Sequence, residues 1–214
     1  MTLRRMLTDG SRDLGVLLSE DQANAFLVYL VELDKWNQKI NLTAIRNEQE
    51  IVVKHFLDSL SYLSGFTPSP GRRLLDMGSG AGFPALPIKI VRPEVSVTLV
   101  ESVKKKASFL RHIIRTLKLT GAEVADVRTE ELPETYRSAY DIVTARAFAD
   151  IRSAIQAGMP FLKPEGLMVL SRGAGETVGK PELDKLGVLL EKRMELMLPF
   201  SDHKRAIWVF KREG

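Results

Sequence analysis

The alternation of apolar and polar positions changes character once along the chain. Up to about residue 66 it has a helical period. Ser19, followed three residues later by Gln22, forms a capping box. Beyond it Ala23, Phe26, Leu27, Leu30 and Val31 recur at helical spacing. This helix is expected to end near 39–42, where Asn37, Asn41 and Thr43 signal a turn. Asn47 with Glu50 marks a second start, with Val52, Phe56, Leu60 and Leu63 on one face. Thr67-Pro68-Ser69-Pro70-Gly71 then interrupts the pattern. It divides a helical cap, 1–66, from a second domain, 67–214.

Past that boundary short apolar runs alternate with helical stretches. The runs at 73–77, 95–100, 123–127, 141–145 and 167–170 read as buried parallel strands. The clearest helix is 103–118, with Val103, Ala107, Leu110, Ile114 and Leu117 expected on its buried face. Runs at 194–198 and 206–210 predict a terminal antiparallel pair. Such a series predicts an α/β fold, a doubly wound sheet with helices on both faces. Ligand is then expected at the carboxyl ends of the strands, where strand order switches.

Composition narrows the chemistry. The chain has 214 residues, 44% hydrophobic and 27% charged, and no cysteine. Disulfides, thiolate metal sites and a cysteine nucleophile are excluded. The longest apolar run, 25–31, is too short for a membrane span, and no apolar signal segment follows Arg4 and Arg5. A soluble, cytoplasmic, monomeric protein is expected. Residues 1–60 carry 7 Lys/Arg against 9 Asp/Glu, whereas the remainder carries 24 against 18. The basic second part fits either a polyanionic partner or a solvated basic surface.

The most informative segment is Leu74-Leu75-Asp76-Met77-Gly78-Ser79-Gly80-Ala81-Gly82-Phe83-Pro84. A strand runs into three alternating glycines and then into a helix start that tolerates Pro84. Glu101 stands 23 residues after Gly78, at the end of the next strand. There a carboxylate can accept hydrogen bonds from two ribose hydroxyls, or can be only a surface acid. The glycines at 78, 80 and 82 do not have dinucleotide spacing, and no Lys-Ser/Thr pair follows them as in a P-loop.

The pattern Asp-x-Gly-x-Gly-x-Gly from Asp76 resembles motif I of class I S-adenosylmethionine (SAM) methyltransferases, which implies a Rossmann-like fold and SAM as cofactor. Thr144-Ala145-Arg146-Ala147-Phe148 stands where amine methylases of adenine carry their Pro-Pro-aromatic motif. An acceptor that is already nucleophilic is therefore expected. Nearly the whole chain resembles the RsmG (GidB) family. The resemblance rests on 36–45 (Trp-Asn-Gln-Lys-Ile-Asn-Leu-Thr-Ala-Ile), 55–60 (His-Phe-Leu-Asp-Ser-Leu), the loop 75–84, and 145–148.

The resemblance implies methylation of N7 of guanine 527, in the 530 loop of bacterial 16S rRNA, with the small ribosomal subunit as partner. It also implies that Gly78, Ser79, Gly80, Gly82 and Phe83 form the cofactor loop. Glu101 would hold the ribose, Thr129 and Glu130 the adenine end, and Arg146 would sit at the active-site end of the fourth strand. Two residues depart from the family pattern: Ala85, where Gly often follows Phe-Pro, and Arg172, where Lys is common.

Guanine N7 has a lone pair and no proton, so transfer to it needs orientation and no general base. Positive charge passes to the guanine ring, so Arg146 is expected on phosphate, on the cofactor carboxylate or on O6, and away from N7. Other readings remain open. One is a methyltransferase of the same fold acting on a small molecule or protein; another is a non-catalytic nucleotide- or RNA-binding regulator. Lys104, Arg111, Arg115 and Lys118 make a basic helix face that either contacts RNA or is only solvated. His55 is expected to pack, with a place near the pocket as the alternative; Trp36 and Phe26 are expected in the core. Asn41 either reaches the cleft or caps a turn. His55, His112 and His203 are scattered and show no metal-ligand spacing.

Overall fold

The computed structural model describes residues 1–146, 150–173 and 175–212. Its first segment has only helices and their connections, as the pattern predicts: α1 (Leu3–Asp13), α2 (Glu20–Ile40), α3 (Glu48–Ile51), a π-helical stretch (Val52–Leu57) and α4 (Asp58–Ser61). The capping box opens α2, with Ser19 Oγ accepting from the Gln22 amide. Asn41, in a left-handed conformation, closes it. Asn47 caps α3 through the Glu50 amide. The buried stripe of α2 runs through Ala23, Phe26, Tyr29, Leu30, Leu33 and Asn37, while Val31 is 49% exposed. The stripe at 26, 30, 33 and 37 points away from position 31.

Seven strands among the described residues form one sheet in the order β3-β2-β1-β4-β5-β7-β6. They are β1 (Arg73–Met77), β2 (Ser96–Val100), β3 (Ala122–Ala125), β4 (Tyr140–Ala145), β5 (Leu162–Gly173), β6 (Val188–Met197) and β7 (Lys204–Arg212). All neighbours are parallel except that β7 runs antiparallel to β5 and β6. Strand order reverses at β1, which lies between β2 and β4, so the switch point is at the ends of these three strands. Several strands are longer than their apolar runs. β5 extends beyond its buried apolar centre into Lys163-Pro164-Glu165 and Ser171-Arg172-Gly173, and β6 is mostly exposed, so neither length shows as an apolar run. β3 stops at Ala125, short of the expected 127, and the next residue, Asp126, pairs with Arg111 at 3.4 Å.

Between the strands lie α5 (Ala85–Val91), α6 (Lys104–Thr116), α7 (Ile151–Gly158) and α8 (Lys180–Lys185). Alternate strand residues feed two layers. Leu74, Val97, Leu99, Ile142 and Val209 pack with α2, α5, α6 and the π-helical stretch. Leu75, Met77, Val100, Val143 and Leu170 pack with α7 and α8. The apolar face of residues 1–66 is thus buried in a core continuous with one side of the sheet. On α6 the buried residues are Ala107, Phe109, Leu110 and Ile113. Val103 is 47% exposed at the cap, and Ile114 and Leu117 lie at the margin. No helix among the described residues is long and apolar enough to cross a membrane.

Candidate active site

The loop after β1 turns through Gly78, Gly80 and Gly82, all with positive φ. At Gly82 a Cβ would come within 2.5 Å of the Tyr29 hydroxyl and 2.6 Å of Leu86. Glycine there lets the loop lie against the helical layer, where the Tyr29 hydroxyl donates to the Ala81 carbonyl. At Gly78 nothing lies within 4 Å of the position a Cβ would take, so the loop backbone is open there.

Glu101, 6% exposed at the end of β2, braces this loop. Its Oε2 accepts from the Gly80 amide and its Oε1 from the Val103 amide, both at 2.8 Å. Each oxygen keeps a further acceptor site. The carboxylate faces a recess of about 230 Å³ that also includes Gly78, Ser102, Val127, Thr129 and Glu130. Residues far apart in sequence, expected together at a cofactor, are thus brought together. Ser79 is buried and works from behind: its amide donates to Val100 and its hydroxyl to the Asp76 carbonyl. Phe83 also lies behind, stacked on Tyr29 at 5.5 Å and on His55 at 4.6 Å. Asp76 is fully buried, accepts from the Thr144 hydroxyl at 2.9 Å, and is pushed by burial up to about 7.

Arg146 follows the end of β4 and is held by the helical segment. Its Nη2 donates to His55 Nδ1 at 2.6 Å and its Nη1 to the Lys54 carbonyl at 3.4 Å, and it lies 3.7 Å from Asp58. The guanidinium also stands 5.4 Å from the Phe83 ring centre. An arginine can only donate, so Nδ1 of His55 is an acceptor and Nε2 carries the proton, given to Thr43 Oγ1 at 2.8 Å. Burial and the nearby guanidinium bring His55 down to about 3, so the ring is neutral. Asp58, 4% exposed, is shared: Arg205 Nε donates to its other oxygen at 2.9 Å. Lys54, Asp58, Arg146, Ser171, Arg172 and Arg205 surround a second recess of about 470 Å³. Arg172 reaches Glu176 through two nitrogens, at 2.6 and 3.0 Å.

The sequence profile of the family described as GidB, rRNA small subunit methyltransferase G, matches residues 22–207. Proteins named ribosomal RNA small subunit methyltransferase G are similar over nearly the full length. That of Geobacter sp. (strain M21) is 43% identical, covering 98% of this chain and 97% of its own. That of Acetivibrio thermocellus is 39% identical, covering 99% and 89%. The chain belongs to the rRNA small subunit methyltransferase G (GidB) family.

Solved structures show the same fold at low identity. The [4+2]-cyclase SpnF has a TM-score of 0.61 at 16% identity, covering 90% of this chain and 96% of its own. The precorrin-6y C5,15-methyltransferase of Geobacter metallireducens has 0.54 at 17%, covering 73% and 87%. The fold is that of the class I SAM-dependent methyltransferases, and a cyclase shares it, so the reaction has to be argued from the site.

In this GidB-family chain His55 is part of the Arg146 cluster and not only a packing residue. Thr43, Lys54, Asp58 and Arg205 join it without having been expected there. Asp58 carried a signal: a carboxylate within Phe56-Leu57-Asp58-Ser59-Leu60 is buried by its apolar neighbours and therefore requires cationic partners. Asn41 caps its turn, Phe26 is fully buried, and Trp36 packs on Phe109 at 5.6 Å. Lys104, Arg111, Arg115 and Lys118 are exposed on α6 and just past its end. Ala85 is fully buried in α5. Ala147 and Phe148 lie outside the described residues. Among the described residues no His/Cys/Asp/Glu group is arranged to hold a metal.

Proposed function

We propose that this chain is a SAM-dependent methyltransferase of the small ribosomal subunit's RNA, acting in the cytoplasm on N7 of guanine 527 in the 530 loop. Residues 1–66 serve as its cap. Family membership supports the rRNA substrate. The observation that carries the chemistry is the engagement of the imidazole and the two carboxylates that line or adjoin the recess at Arg146. His55 Nδ1 accepts from Arg146, Asp58 is shared by two arginines, and Glu176 is bound by Arg172. A site with its bases committed in this way suits an acceptor that has no proton to lose.

The recess beside Gly78 fits the cofactor. Glu101 retains an acceptor site on each oxygen for the ribose hydroxyls, Thr129 and Glu130 line the adenine side, and the open space at Gly78 admits close approach to the backbone. When bound, SAM supplies a methyl group activated by its sulfonium. The chain's own part is to orient. Arg146, fixed by His55, Lys54 and Asp58, holds a fixed charge at the mouth of the second recess, suited to phosphate or guanine O6. Alignment of two reactants can supply about 7–11 kcal/mol of the barrier.

The test is methyl transfer from labelled SAM to small-subunit RNA and to 30S particles from cells lacking this enzyme, with the modified base mapped. Label at N7 of guanine 527 alone is expected. Label at another base or at an exocyclic amine would overturn the assignment, and no label on either substrate would overturn the rRNA reading.

A further inference from the structure

The turn between β6 and β7 presents an aromatic side chain that methyl transfer does not use. Phe200 has φ 61° and is 46% exposed. One edge of its ring is braced by α1. A Cβ on Gly10 would lie 3.1 Å from Phe200 Cε2 and 2.5 Å from Leu57 Cδ1, so a glycine is what admits the ring there. The rest of the ring walls a recess of about 410 Å³ together with Met6, Asn47, Val53, Lys54 and His203. Lys54 belongs equally to the cationic recess that contains Arg146, so the two recesses adjoin through it.

Charge in the cationic recess is not balanced within it. Among the described residues Lys54, Arg146, Arg172 and Arg205 face Asp58 and Glu176, four cations against two carboxylates, and Glu50 in the adjoining recess adds a third. Asp58 is divided between two guanidiniums, and Lys54 meets Glu50 at 2.5 Å in a pair that is half open to water. Exposed pairs of that kind contribute little, so an incoming phosphate can replace the carboxylate at small cost. A braced aromatic ring next to surplus positive charge is the combination that single-stranded RNA recognises. The charges follow the backbone and the ring stacks on an unpaired base.

We propose that the two recesses form one track for single-stranded RNA, with a backbone phosphate in the cationic recess and the base of a neighbouring nucleotide stacked on Phe200. This rests on the reading that the substrate is rRNA and adds a second contact, away from the reacting base, through which a single-stranded loop is preferred to a duplex.

The experiment measures binding of a labelled RNA hairpin containing the 530 loop, at several salt concentrations and saturating SAM, with methyl transfer and melting temperature measured alongside. Phe200→Leu keeps an apolar side chain against Gly10 and Leu57 but removes the aromatic face. It is expected to weaken binding about tenfold with an unchanged salt slope and melting temperature, and Phe200→Tyr to restore it. Lys54→Gln is expected to lower the salt slope by about 0.7. Unchanged affinity in Phe200→Leu, a loss that Phe200→Tyr fails to restore, or an unchanged slope in Lys54→Gln would overturn the track. So would equal affinity for a fully paired duplex. If the unaltered chain methylates neither this RNA nor 30S particles, the rRNA reading itself falls; if it methylates either and the variants bind and methylate like it, only the track falls.

Discussion

Two buried groups close to Arg146 should tilt the stability of the protein in opposite directions over the same pH range. Burial pushes Asp76 from 3.8 up to about 7, while burial and then the Arg146 charge pull His55 from 6.5 down to about 3. For Asp76 the folded chain binds the proton more tightly between pH 3.8 and 7. Its contribution is full below 3.8 and is lost as pH rises through 7. For His55 the unfolded chain binds the proton more tightly between pH 3 and 6.5. Its contribution is present above 6.5 and is lost progressively as pH falls toward 3. Each slope approaches 1.4 kcal/mol per pH unit, and between pH 5.0 and 6.5 the two nearly cancel. Removing one exposes the other. On going from pH 6.5 to 5.0, Asp76→Asn should lose about 2 kcal/mol of unfolding free energy relative to the parent chain, and His55→Asn should gain a similar amount. Urea unfolding at both pH values, without cofactor and with m held constant, reads both differences. The carboxyls held below their ordinary values, Glu32, Asp141, Asp150 and Glu176, are shared by variant and parent and drop out of the comparison. Differences of the same sign in the two variants, or none above about 0.5 kcal/mol, would refute the reasoning, since each group's slope is set by its own pKa shift.

Further outcomes follow from the same geometry. Arg146→Ala should slow methyl transfer at least about 100-fold at saturating SAM. Asp58 keeps Arg205, so unfolding should weaken by only about 1–3 kcal/mol, and near-normal turnover would sink the assignment. Glu101→Gln should raise the Kd for SAM about 10–100-fold by calorimetry, because a hydrogen bond to a charged acceptor contributes roughly 1.5–3 kcal/mol. Gly82→Ala should cost about 2–4 kcal/mol in denaturant unfolding, from the left-handed backbone together with the contact on Tyr29 and Leu86. A loss below 1 kcal/mol would mean that the loop shifts freely.

The sheet was legible because buried parallel strands are continuous apolar runs: 73–77 matches its observed bounds and β2, β3, β4 and β7 lie within two residues, whereas β5 and β6 begin at Leu162 and Val188, well before the expected 167 and 194. Helix starts were legible through Ser19 and Asn47, whose side chains do what their spacing suggests. Faces were less so. Val31 and Val103 fit a helical period, yet a period fixes spacing only, and which side meets the sheet depends on tertiary packing. Gly78 and Glu101 converge as their order suggested, and Thr129 and Glu130, expected there from the family resemblance, line the same recess. The Arg146 cluster was half hidden because Thr43, Lys54, His55 and Asp58 come from the helical segment, about 90–100 residues earlier, and Arg205 from the antiparallel strand about 60 residues later. A π-helical stretch through 52–57 also departs from the regular helical period at this point, so the faces of His55 and Asp58 could not be read from spacing.

The two sides of the site are held differently, and the difference follows from what each would bind. Around Gly78 the fixing is done by main chain. Amides of Gly80 and Val103 pin Glu101, and the amide of Ser79 ties the loop to β2. A small ligand of constant shape is served by such a frame, because backbone positions change little and need no side-chain ordering. Around Arg146 long charged side chains are fixed at their heads, by His55 through one tautomer and by Asp58 through a shared carboxylate. That arrangement holds positive charge at an open mouth without neutralising it, which suits a flexible polyanion that arrives from solution. The helical segment supplies Lys54, His55 and Asp58, and the sheet supplies Arg146 and Arg205. Neither part alone positions the guanidinium. The placement of Arg146 therefore depends on the helical segment docking on the sheet, and a substitution such as Thr43→Val, which removes the acceptor for His55 Nε2–H, should lower transfer to RNA while leaving SAM affinity at the Gly78 recess unchanged.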